Sequence, residues 1–111
     1  MVGKRIRDAR LRAGLSQKQL GIKAGIDEFG ASPRVNQYER GKHAPDFSTA
    51  ERLAKVLGVP VPYFYAREDP LAVWILAFRE LTLLDRMFIF RRRNLQNSKR
   101  ASNLHFRAKR R

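Results

Sequence analysis

The chain has 111 residues, no cysteine, and 24 Lys and Arg against 10 Asp and Glu, a formal net charge of +14. That length suits one domain with an appendage and excludes most multi-domain enzymes. The missing thiols exclude a disulfide scaffold, a thiolate metal site and a thiol nucleophile. So large a positive charge makes a polyanion the default partner: DNA, RNA or an anionic membrane surface.

In chain order the first 90 residues read as helical, with no alternating β-branched run of strand length. The opening MVGKRIRD turns charged before an apolar leader core could form. Residues 3–13 place Ile6, Ala9 and Ala13 on one face, with most of the basic residues elsewhere, and Gly14 closes the helix. Ser16 stands as the N-cap of a second helix ending at Gly25. Ser32-Pro33 predicts the start of a third over residues 33–40, since proline favours the first helical position; Gly41 stops it. Pro45-Asp46 opens a fourth, carrying Phe47, Ala50, Leu53, Ala54 and Leu57 up to Gly58.

A short apolar helix or turn follows over residues 61–65. Asp69-Pro70 then caps a longer helix, and Thr82 with Asp85 caps a last one through Phe90. Residues 71–90 are the most apolar stretch, but Arg79, Glu80, Asp85 and Arg86 argue against a membrane span. A soluble cytoplasmic protein with no membrane partner is expected. Trp74, Phe78, Leu81, Leu84, Met87 and Phe88 exceed what one core-facing stripe needs. Most are expected to pack back onto Tyr63, Phe64 and the fourth helix, any surplus serving self-association. Residues 91–111 hold nine Lys and Arg and no acid, whereas residues 1–90 hold 15 against 10. With Leu95, Leu104 and Phe106 as its large apolar residues, this segment is expected to be a basic, disordered tail.

The informative stretch runs from Ser16 to Gly41. Leu20 and Ala24 share a face, Gly21 beside them leaves room for a second helix to cross closely, and Gly25 turns the chain before Ile26 plugs the corner. Val35 and Tyr38 supply the inward face of the next helix. Two short helices packed steeply about a glycine turn are the physical content of a helix-turn-helix. The run IRDARLRAGLSQKQLGIKAGI followed by VNQYERGKHAPDFSTAERLAKVLGVPVPYFY resembles the phage repressor/Cro-like (Xre) helix-turn-helix family over residues 3–65. "GLSQ", the small-residue turn, "YERGK", a following proline and "LAKVLGV" all stand in family order.

The resemblance implies an all-α fold with a five-helix repressor-like domain over residues 3–65, to which the residues themselves add a helical extension over 69–90 for packing or dimerisation and the basic tail over 91–111. One departure is the six residues 26–31 before the third helix, roughly four longer than the family's connection, an insertion that costs little loop entropy. By family position the third helix enters the DNA major groove N-terminus first, with Ser32, Pro33, Arg34, Asn36 and Gln37 facing bases. Asn and Gln pair with adenine, Arg with guanine, and Pro33 offers apolar contact to a thymine methyl. Gln17 and Lys18 at the start of the second helix, and Arg40 and Lys42 after the third, face phosphate. Arg10 and Glu39 are implied to form a structural ion pair.

No catalytic residue and no metal site is expected: His43 and His105 lie far apart, and Asp46, near His43 in sequence, is better explained as a helix cap. No cofactor is expected either. The function implied is a sequence-specific DNA-binding transcriptional regulator, a repressor binding a palindromic operator on double-stranded DNA as a homodimer. Two alternatives are weighed. One is the antitoxin of a toxin–antitoxin pair, autorepressing through the same motif and holding the toxin through residues 69–90. The other is a non-specific RNA- or ribosome-associated basic protein.

Overall fold

A computed structural model describes residues 2–93, which are all-helical with intervening turns. Residues 2–77 form one compact unit and residues 78–93 belong to a second. The first contains α1 (Val2–Arg12), α2 (Gln17–Lys23), α3 (Glu28–Glu39), α4 (Phe47–Leu57) and α5 (Val61–Tyr65). It also holds most of α6 (Asp69–Glu80). Each of the first five helices contributes one fully buried large side chain: Ile6, Leu20, Val35, Leu53 and Phe64 in chain order. Burial of such a side chain stabilises by about 1.5–3 kcal/mol, so these five carry much of the core.

Local chemistry sets the helix ends. Ser16 and Gln19 form a reciprocal capping box at α2, each side chain accepting from the other's backbone N–H. At α4, Asp46 Oδ1 accepts from the Thr49 N–H at 2.7 Å. The hydrogen bonding from Thr49 holds the Asp46 carboxyl below the ordinary aspartate value of 3.8.

The third helix corrects the sequence expectation. It begins at Glu28, not at residue 33, and Pro33 lies inside it. Asp27 is the N-cap, its Oδ1 accepting from the Phe29 N–H at 2.8 Å. The apparent long connection over residues 26–31 is therefore a buried corner (Ile26), a cap (Asp27) and one added helical turn. Tertiary packing explains why the Ser32-Pro33 signal loses. Ala31 in that added turn is fully buried and lies against Gly21 of α2.

Arg5 also departs from the polar face assigned to the basic residues of α1. It is buried, donates from Nε to the Ala66 carbonyl at 3.0 Å and from Nη1 to Asp69 Oδ1 at 2.9 Å, and lies over the Tyr63 ring. Arg12 Nη2 donates to the Tyr63 hydroxyl at 2.7 Å. Those bonds, with buried Ala72, bring the start of α6 and α5 onto α1.

In the second unit α7 spans residues 83–93. Thr82 Oγ1 accepts from the Asp85 N–H at 3.1 Å, and Arg86 donates to the Phe78 and Arg79 carbonyls with its guanidinium over the Phe78 ring. Residues 91–93 continue this helix, contrary to a tail beginning at 91; arginine is a good helix former. The rest of the expected tail lies outside the described residues. Within the first unit the packing expected of the aromatic stripe does not occur at Trp74, which is 59% exposed. In α6 the inward face is taken by Ala72 with Ile75 and Leu76, which leaves the bulky residues outward. Among the described residues no helix is long and apolar enough to cross a membrane.

Candidate nucleic-acid interface

Among the described residues α2 and α3 make the most extensive helix–helix contact. Their approach is set by Gly21, where a Cβ would stand 2.7 Å from the Ala31 Cβ. Any side chain there would force the helices apart. Between them Gly25 adopts φ +88°, a conformation that disfavours L side chains. The Ile26 N–H closes the turn on the Gly21 carbonyl at 2.9 Å, and the Ile26 side chain is buried beneath it. A close-packed pair of short helices about a glycine turn is thus fixed by backbone approach as well as by apolar contact.

α3 is sharply two-sided. Ala31, Val35 and Tyr38 are buried. Phe29, Pro33 and Arg34 are exposed, and Ser32, Asn36 and Gln37 are half-buried. At about 100° per residue, Phe29, Pro33, Asn36 and Arg40 fall within one narrow stripe opposite the buried side.

The C-terminal half of α3 is locked to α1 and α2 through Glu39. Arg10 donates from Nε to Glu39 Oε2 at 2.8 Å and from Nη2 to Oε1 at 2.9 Å, a bidentate pair with side chains 12% and 5% exposed. Hydrogen bonding to Glu39 raises the Arg10 pKa above its ordinary value. Arg10 Nη1 also donates to the Leu15 carbonyl at 3.0 Å, tying down the loop before α2. Gln17 Nε2 donates to Asn36 Oδ1 at 3.3 Å and to Glu39 Oε1 at 3.4 Å. The Gln17 side chain therefore faces α3, while the Asn36 carbonyl oxygen already holds one donor. A Cβ at Gly3 of α1 would overlap the backbone carbonyl oxygens of Tyr38 and Glu39, so α1 lies directly on the end of α3.

The two acids at the start of α3 are engaged. Asp27 is the cap, and Glu28 lies 3.7 Å from Lys18 Nζ in an exposed pair. Arg40 and Lys42, just past α3, are exposed. Sequence reasoning missed Glu28 and Phe29 as members of this helix. The available signal was Asp27 in capping position, which the stronger Ser32-Pro33 pair masked. Among the described residues no group of three or more His, Asp or Glu gathers as a metal site.

Residues 6–64 match the helix-turn-helix family HTH_3. The chain belongs to this family of DNA-binding transcriptional regulators, in its Xre/Cro-like branch. Among solved structures it is similar to the transcriptional regulator BswR, at 49% identity and a TM-score of 0.78, covering 86% of this chain and 94% of that one. Over 64 residues it is 34% identical to an HTH-type transcriptional regulator of Sinorhizobium medicae (strain WSM419), 58% of this chain and 43% of the relative. A transcriptional regulator in the ATPase CF(0) region of Rhodospirillum rubrum is 33% identical over 72 residues, 62% of this chain and 63% of the relative. The match thus spans less than two thirds of the length of these curated relatives.

Proposed function

We propose that this chain is a cytoplasmic, sequence-specific repressor that binds a palindromic DNA operator as a homodimer, with α3 in the major groove. The observation that carries this reading is the two-sidedness of α3. One side is buried, and the rest of the helix carries exposed Pro33 and Arg34 with half-buried Ser32, Asn36 and Gln37, in a frame held by Arg10 and Glu39.

In this reading those five residues face base edges. Asn36, with Gln17 donating to its Oδ1, keeps its amide nitrogen as the donor toward an acceptor on a base. Lys18, Arg40 and Lys42, with the first backbone N–H groups of α2 beginning at Gln17, contact phosphate and set register. The second copy is held through the exposed apolar residues of α6 and α7, which also supports symmetric docking on two half-sites.

Selection of double-stranded DNA sites in vitro with the full chain tests the reading. The expected result is an enriched palindrome whose two halves are separated by about one helical turn or a multiple of it. Affinity for it should fall steeply with salt. Enrichment of no sequence would overturn the proposal.

A further inference from the structure

Phe29 is 91% exposed, more than any other large apolar side chain among the described residues, and it projects from the first turn of α3. It does not serve the core, since Ala31, Val35 and Tyr38 form the buried side opposite it. It does not close the cap either: Asp27 bonds only its backbone N–H. Exposed Pro33 follows one turn later on the same stripe, about 6 Å along the axis at 1.5 Å per residue. Beyond them on that stripe come the amide of Asn36 and the guanidinium of Arg40. Lys18, Arg34 and Lys42 are exposed around the helix pair, while the nearby acids are engaged: Asp27 and Asp46 cap helices, Glu28 pairs with Lys18 and Glu39 with Arg10.

An apolar pair set among cations and hydrogen-bonding groups suits a polyanion that carries an apolar group at a fixed place. In the major groove that group is the C5-methyl of a pyrimidine. We infer that Phe29, with Pro33 behind it, reads the C5-methyl of thymine or 5-methylcytosine and is a specificity-determining residue of this protein. The inference rests on the DNA-binding reading above and adds the chemical group that is read. A separation of about 6 Å along α3 exceeds the roughly 3.4 Å rise of one base step, so the two side chains can meet neighbouring pyrimidines of one half-site.

The full chain is used to select sites from two duplex libraries, one unmodified and one with every cytosine C5-methylated. In each selected duplex, thymines are replaced by uracil, or 5-methylcytosines by cytosine, one position at a time. The expected result is at least one position where loss of the methyl weakens binding about fourfold, the worth of one buried methyl. Phe29→Ala should lose that discrimination, and Phe29→Leu should keep it. Sensitivity to uracil in the unmodified duplex assigns thymine; sensitivity only in the methylated duplex assigns 5-methylcytosine. Because the side chain is exposed, Phe29→Ala should melt like the parent, which separates lost reading from lost folding. Duplexes bound with no methyl-sensitive position, methyl discrimination that survives Phe29→Ala, or a changed oligomeric state in Phe29→Ala would each overturn this inference and leave the DNA-binding reading standing. Failure to enrich any duplex from either library would overturn both.

Discussion

Arg10 has two hydrogen bonds to Glu39 and one to the Leu15 carbonyl, so a single guanidinium joins α1, the loop before α2 and the end of α3. Truncating it leaves a Glu39 carboxylate that is 5% exposed with only the long bond from Gln17. Removing one partner of a buried pair costs on the order of 3 kcal/mol, because the remaining charge is desolvated without compensation. Arg10→Ala should therefore lower the urea midpoint substantially, and Arg10→Ala/Glu39→Gln should recover part of the loss because the stranded charge is gone. Equilibrium unfolding of the two variants checks this. Equal stability of Arg10→Ala and the parent would place the pair outside the framework of the fold.

At the scale of a helix, Pro33 is the informative position. It sits five residues into α3 and has no N–H to return to the Phe29 carbonyl one turn earlier. Had α3 begun at residue 33, proline would occupy its most favoured position, and replacement would gain nothing. Inside the helix it carries a cost, so Pro33→Ala should stabilise the fold by about 1–2 kcal/mol after allowance for the freer unfolded chain. The helix survives the proline because both ends are fixed. Asp27 caps the first turn and Ala31 is seated against Gly21, while Glu39 is held by Arg10 at the other end. A rise in melting temperature on Pro33→Ala is the expected outcome, and a fall would contradict the extended α3.

For the whole molecule, the decisive feature is apolar surface left outside the core. In α7, Leu83, Leu84, Met87, Phe88, Ile89 and Phe90 are 40–76% exposed. So dense a set of exposed large apolar residues is what a self-association surface presents. On the homodimer reading, Leu84→Glu/Phe88→Glu should convert the full chain from dimer to monomer in sedimentation, with the melting of the helix-turn-helix unchanged. Operator affinity should fall with it, since two half-sites would no longer be held by one assembly. A variant that sediments like the parent would remove α7 from the interface.

Much of this protein was legible before folding because its signals are local. Ser16, Gly25, Asp46 and Gly58 mark helix ends through their own backbone and side-chain chemistry. Gly21 announced a close helix crossing, and the ordered motif pieces over residues 3–65 identified the helix-turn-helix. The start of α3 was not legible, since the Ser32-Pro33 pair is the stronger local start signal and masks the cap at Asp27. Only the seating of Ala31 on Gly21 decides between them. Trp74 was misread for the same reason: apolarity predicts burial somewhere, but not against which surface. The net charge of +14 pointed by itself to a polyanion, because Coulomb attraction does not depend on fold. Which side chains stand free on α3 to meet that partner, Phe29 foremost, was decided by tertiary structure, because a helix face is defined by what its other side buries.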